Sequence, residues 1–290
     1  MHSIVGPLSK SLAIAFLVCM TMSLGLEVTW QQLVSLLRDK GLLCRALAAN
    51  LILVPLLGLA LVRVFPMPLD FANVFLILAA APGAPMSLRY TRNRDDDAPF
   101  AAALLFVLIL AAICFTPLIA ELILPAQTRL SVPYDRVATI AVLYMVFPGL
   151  LGIAIQRWGE EETVMIRRVA FISARMFFLA WVILVTAEQS RAVRQLGVPT
   201  LAAMVSLIIG SMIIGWFLGG PQRENRRILA TGTSMRNVGL CAVIAIESFP
   251  GTKVDIAIVA FSALMVTPNS LLLFYESYWK KRRKALTTVL

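Results

Sequence analysis

Charge is scarce in this chain: Asp, Glu, Lys and Arg make up 14% of its 290 residues, where a soluble globular domain carries about 25%. Hydrophobic residues make up 59% and mean hydropathy is +0.84, so a water-soluble fold does not fit. Histidine occurs once, at His2. The four cysteines, Cys19, Cys44, Cys114 and Cys241, form no Cys-x-x-Cys pair and stand beside no histidine, so disulfide frameworks and structural zinc drop out. With His2 at the terminus, no Ser/His, Cys/His or paired-carboxylate set remains for an enzyme inside the membrane. A removable targeting segment is not expected either. The first apolar run is about 20 residues, longer than a signal-peptide core, and lacks a convincing cleavage site, so it reads as a retained span.

What the chain has is a series of apolar runs long enough to cross hydrocarbon, which takes about 20 residues per helix. Nine are expected, at 4–26, 42–64, 71–88, 98–124, 137–156, 169–188, 199–219, 228–248 and 254–277. The loops between them are too short for a soluble domain, so the expectation is an all-α polytopic membrane protein.

Basic residues orient the spans. If the run Lys280-Lys281-Arg282-Arg283-Lys284 lies in the cytoplasm, loops on that side add Arg38, Lys40, Arg45, Arg89, Arg92, Arg94, Arg157, Arg167, Arg168, Arg223, Arg226 and Arg227, making seventeen. The other side receives seven: Lys10, Arg63, Arg129, Arg136, Arg191, Arg194 and Lys253. This positive-inside asymmetry predicts a multi-pass protein of the cell inner membrane, N-terminus outside and C-terminus cytoplasmic. It also accounts for the net charge of +10 without a nucleic-acid partner, because the charges are spread among loops. The bridge Thr29 to Gly41, with Trp30, Leu33, Leu36 and Leu37 among polar residues, predicts an amphipathic interfacial helix. Asp95, Asp96 and Asp97 stand beside Arg92 and Arg94 and read as a solvated, internally paired turn in preference to a metal site.

Two spans are interrupted. In the third, Ala81-Pro82-Gly83-Ala84-Pro85-Met86-Ser87 sets two prolines and a glycine in mid-span, and each proline removes an amide donor and clashes with the preceding turn. In the eighth, the polar run Thr231-Gly232-Thr233-Ser234-Met235-Arg236-Asn237-Val238-Gly239 carries an arginine near mid-membrane. Paired interruptions of this kind point to a secondary-transporter site, where half-helix ends face the substrate. Breaks are therefore expected at Pro82, Gly83 and Pro85 and at Gly232 and Gly239. Arg236 carries the strongest single signal, because a central arginine costs about 2.5–3.5 kcal/mol on insertion scales. It needs a partner or a cavity, and the acidic candidates Glu121, Glu188 and Glu247 lie towards the other ends of their spans. Arg175, nearer its span end, can snorkel.

These motifs resemble the bile acid:sodium symporter family. Met20 to Leu26 is similar to its Met-Gly-Leu signature, and Asn50 followed by Pro55 to its Gln-then-Pro pattern. Pro82, Gly83 and Ser87 match a Pro-Gly-Gly-Thr-x-Ser-Asn motif, with Pro85 at the threonine and Leu88 at the asparagine. Asn237 matches Glu-x-Gly-x-Gln-Asn, with Gly232 at the glutamate and Arg236 at the glutamine, and Pro268-Asn269 resembles a His-Asn pair near the substrate site. The resemblance implies inverted repeats with two broken crossing helices, and panel and core subdomains. The first repeat would span about 1–124 and lack its first helix, the second about 137–277, with a basic cytoplasmic tail at 278–290. It also implies sodium as coupling ion, with Asn50 at a ligand position. Leu88, Ala101, Leu105 and Gly232, at other ligand positions, supply no side-chain oxygen, and Arg236 adds a fixed positive charge that would repel a cation.

The expectation is thus a secondary transporter of a small organic anion, not an enzyme, with no cofactor, most sodium ligands lost, and no obligate protein partner besides the lipid bilayer. Its expected substrate residues are Arg236, Asn237, Asn269, Ser87, Ser234, Thr233 and Asn50. A sodium-coupled symporter using residual ligands, or a membrane anion sensor, are the alternatives; the second would need an output domain that the sequence does not provide.

Overall fold

A chain this apolar must pair its backbone polar groups within the bilayer, and helices do so within each segment. The computed structural model describes residues 2–91, 98–124, 134–156, 160–249 and 254–287, and every regular element among them is helical. In order these are α1 (His2–Gly25), α2 (Trp30–Arg38), α3 (Lys40–Ala48), α4 (Val54–Val64), α5 (Leu69–Ala80), α6 (Leu88–Thr91), α7 (Ala98–Ile123), α8 (Tyr134–Ala141), α9 (Phe147–Ile155), α10 (Glu160–Glu188), α11 (Ser190–Leu218), α12 (Arg223–Ser234), α13 (Val238–Ser248) and α14 (Asp255–Thr287).

Eight segments among the described residues are long and apolar enough to cross a membrane, against the nine expected. The shortfall is the run at 71–88, which gives only the twelve-residue α5, a non-helical stretch, a 3-10 turn at Pro85–Ser87 and the short α6. Prolines 82 and 85 end α5 where it would otherwise cross. Elsewhere proline bends without breaking: α3 runs into α4 through a π turn at Ala49–Leu53 before Pro55, and α8 into α9 through one at Val142–Val146 before Pro148. In each, the residue just before the proline donates five residues back, Val54 to Ala49 and Phe147 to Val142. The ladder absorbs the missing donor there.

The amphipathic bridge is α2. Thr29 and Gln32 form a reciprocal capping box, Leu33 and Leu36 are buried, and Trp30 and Leu37 are exposed. The basic run near the C-terminus continues α14 to Thr287, whereas Asp95, Asp96 and Asp97, with Arg92 and Arg94, lie outside the described residues.

Polar contacts define two ends of the bundle. At the N-terminal face, Lys10 of α1 pairs with Glu247 of α13, which Arg136 of α8 also approaches at 3.9 Å. Beside them the Trp181 indole donates to Ser9 Oγ at 2.9 Å, and Ser9 Oγ donates to Asp255 at 3.4 Å. At the C-terminal face, Arg167 of α10 stands 3.9 Å from Glu27, just after α1. Between these ends the two interrupted segments are the most enclosed: residues Phe71 to Ala80 of α5 are all buried, and the span Arg223–Ser248 has a fully buried apolar window. Lipid-facing sides belong to helices such as α10.

Candidate functional site at the crossing of two broken helices

Helix α5 stops at Ala80 inside the bundle, which leaves the last turn of carbonyls without intrahelical donors. Gly83 makes the stop possible. Its φ of +79° is a left-handed conformation, and a Cβ there would lie 2.8 Å from the Ile109 amide nitrogen of α7. The second break covers Met235, Arg236 and Asn237, with φ, ψ of −90°, 120° at Met235 and −77°, 80° at Asn237. These angles need no glycine. Gly232 and Gly239, expected at the break, lie instead within α12 and α13; at Gly239 the missing side chain makes room for Leu17, whereas at Gly232 a Cβ would meet Leu105 at an ordinary 3.6 Å.

The two breaks touch. The Asn237 amide donates to Ala81 O at 3.0 Å, and the groups that follow α12 satisfy the end of α5. Arg236 Nε donates to Leu78 O at 2.9 Å and Nη2 to Ala79 O, while Thr116 of α7 caps Ala80 O at 2.9 Å. The remaining guanidinium nitrogen, Nη1, donates to Asn50 Oδ1 at 3.0 Å and to Thr233 O at 3.3 Å. Arg236 is fully buried. Its four acceptors are three carbonyls and an amide oxygen, and among the described residues no carboxylate pairs with it. The negative dipole ends of α5 and α12 both converge on this guanidinium. The sequence favours a substrate over an acidic side chain as the partner of Arg236; the structure adds main-chain oxygens at two helix ends, which have no side-chain signature.

Of the seven expected substrate residues, all are buried, and five join two hydrogen-bonded groups. Asn50 Nδ2 donates to Thr233 Oγ1 at 3.2 Å, completing the Asn50, Thr233, Arg236 group. Ser234 Oγ donates to Asn269 Oδ1 at 2.9 Å, tying α12 to α14. Asn237 Oδ1 caps α13 by accepting from the Leu240 amide at 3.1 Å and, through its own amide, is linked to α5. Ser87 stands apart: its Oγ, like Asn237 Nδ2, is buried with no partner among the described residues.

Cavities lie at both faces. The pocket at the N-terminal face is lined by Lys10, Asp135, Arg136 and Glu247, and those next to the first break are at the C-terminal one. The larger, about 430 Å³, is at the C-terminal face and is walled by Met20, Leu24, Pro85, Leu88 and Phe171, with Glu27, Arg167 and Arg168. A smaller one adjoins it, sharing Met20 and Phe171 and adding Met86, Tyr90 and Arg175. Arg236 lines neither. The arginines at 167 and 168 were counted for orientation only, because in sequence they are indistinguishable from other loop charges.

Residues 14–195 match the Sodium Bile acid symporter family. The chain belongs to that family. The match contains the first break and the cavity walls, and ends before the second break. No curated protein matches the chain. Membership makes this a multi-pass membrane transporter of the symporter class, and it makes the coupling cation a question the geometry can address.

Two positions matter for that cation. Around Gly232, the resemblance to the family places Ser87, Leu88, Ala101 and Leu105; the last three are buried and apolar, and Leu105 Cδ2 lies 3.6 Å from where a Cβ on Gly232 would stand. Around Asn50, Nη1 of Arg236 occupies the point between Asn50 Oδ1 and Thr233 O. Among the described residues no group of three His, Cys, Asp or Glu side chains could hold another metal ion.

Proposed function

We propose that this protein moves a small organic anion across the inner membrane by alternating access, without binding sodium. The N-terminus faces outside, so the cavity beside Pro85 and Leu88 faces the cytoplasm, and the Lys10, Arg136 and Glu247 contacts hold the outer side closed. The observation that carries this reading is the meeting of the two breaks, at 3.0 Å between Asn237 N and Ala81 O, next to the cavity that Pro85 and Leu88 line at the C-terminal face; the pocket at the N-terminal face, beside Lys10, Arg136 and Glu247, includes no residue of either break. Broken helices buried in protein are where transporters bind cargo.

The cavity suits an anion with an apolar body. Met20, Leu24, Leu88 and Phe171 provide the apolar wall, and Arg167 and Arg168 the charge at its mouth. Deeper polar contacts come from Ser87 Oγ and Asn237 Nδ2, which have hydrogen-bonding capacity to spare, and from the positive dipole end of α13. Arg236 acts on the anion through its charge and not by contact, because its nitrogens are already held by Leu78, Ala79, Asn50 and Thr233. The sodium-coupled alternative loses support here, since Asn50 Oδ1, its best remaining ligand, accepts from Arg236.

A thermal-shift screen of purified protein against organic anions, in sodium and in choline buffers, tests this function. Stabilisation by an anion to the same extent in both buffers is the expected result. Stabilisation that appears only with sodium refutes the sodium-free reading, and a flat response to every anion counts against transport of this class.

A further inference from the structure

We infer that this carrier is an obligate anion exchanger: it reorients with an anion bound and does not return empty. The inference rests on the transport reading above and concerns what the fixed charges do to the return step. In a cation-coupled symporter the empty carrier sheds its cation with its cargo, so the form that returns has no excess positive charge. Here the charge cannot leave. Arg236 follows the end of α12 and is held by four oxygens, and among the described residues no carboxylate neutralises it. The cavities add Arg167, Arg168 and Arg175 against one carboxylate among the described lining residues, Glu27, which stands 3.9 Å from Arg167.

Any passage between two open states goes through a closed one in which the cavity is sealed from both sides. Sealing it strips water from the arginines that line it. With an anion inside, they keep a counter-charge; without one, Arg167 still has Glu27, but Arg168 and Arg175 are dehydrated with no counter-charge from the described cavity walls, a cost of several kcal/mol per ion. A barrier raised by that much slows the empty return on the order of a hundredfold or more. The anion therefore lowers the barrier in both directions, and exchange outruns net movement.

The test follows reorientation itself. In a background with the four cysteines replaced by alanine, Ser23→Cys places a thiol on the cavity wall, and the reconstituted protein is treated from either face with a membrane-impermeant thiol reagent. Exchange predicts labelling from the C-terminal face alone in anion-free buffer. It predicts labelling from both faces once cholate or pyruvate, a bulky and a compact organic anion, is present. Labelling from both faces without any anion overturns the exchanger and leaves alternating access standing. Labelling from one face under every condition counts against the transport reading beneath it. As a second variant, Arg175→Gln removes one cavity charge outside the hydrogen-bonded crossing, and anion-free labelling from the N-terminal face should rise at least tenfold; no rise overturns the electrostatic cause.

Discussion

Replacing Arg236 with methionine removes the guanidinium while keeping much of its volume, and its effect can be worked from the four hydrogen bonds. Bonds to a charged donor contribute about 1.5–3 kcal/mol each, so the gross loss is on the order of 10 kcal/mol. Against this, the variant no longer holds a charge away from water, which returns several kcal/mol. The net cost is then roughly 3 kcal/mol. At about 2–4 °C per kcal/mol for a chain of some 200 residues, melting should fall by roughly 6–12 °C, read from tryptophan fluorescence in detergent. Lysine should recover only part of the loss, because a single ammonium cannot reach Leu78 O, Ala79 O, Asn50 Oδ1 and Thr233 O together. A smaller variant, Arg236→Ala, leaves a guanidinium-shaped hole lined by those oxygens, so low guanidinium concentrations should raise its melting temperature. The reasoning fails if Arg236→Met melts within about 1 °C of the parent, or if lysine is indistinguishable from arginine.

Other outcomes follow from the same contacts. Thr116→Val leaves Ala80 O without its side-chain donor and should cost about 1–3 kcal/mol, measured by the same melt. Gly83→Ala combines a left-handed φ with a Cβ against the Ile109 amide, and should lower the folded yield in size-exclusion chromatography, whereas the same change at Gly6, where a Cβ meets nothing within 4 Å, should not. Lys10→Glu should loosen the N-terminal face and Lys10→Glu with Glu247→Lys should restore it, monitored by thiol labelling near Ser9; equal labelling in both variants removes that pair from the closure. Reporter fusions at the two ends should place the N-terminus outside and the C-terminus in the cytoplasm.

The first break is legible because its cause is covalent: Pro82 and Pro85 cannot donate, and two prolines within one turn, with Gly83 between them, remove more of the ladder than the single prolines that helices such as α7 and α14 accommodate. The second is legible only in part. Arg236 and Asn237 mark the place, but the neighbouring glycines mislead, because glycine's usual meaning as a conformational break competes with its use as a space for a packed side chain. At Gly239 the second use prevails, with Leu17 beside it, and Gly232 lies within α12 with room for a Cβ. Asn50 is placed near the site only by the resemblance of Asn50 and Pro55 to the family's Gln-then-Pro pattern, and the π turn that carries it required coordinates.

The partner of Arg236 was out of reach for a different reason. A search for its partner runs over side chains, and in hydrocarbon a lone arginine suggests a carboxylate. Glu247, one of three acids that the sequence sets towards the outer ends of their spans, spends its charge on Lys10 and Arg136 at the N-terminal face. What meets Arg236 is the end of α5, whose carbonyls are free only because Pro82 stops the helix there. The proline run and the arginine are therefore two halves of one device: the first creates a ring of unpaired oxygens inside the membrane, and the second fills it. Neither is stable without the other, since the bare carbonyls lack donors and the bare guanidinium lacks acceptors. That mutual need makes a specific demand on a double variant. Relieving both together, with the prolines replaced by residues that let α5 continue and Arg236 by methionine, should cost less than the sum of the separate changes, whereas strict additivity would mean that the break and the charge arose from unrelated needs.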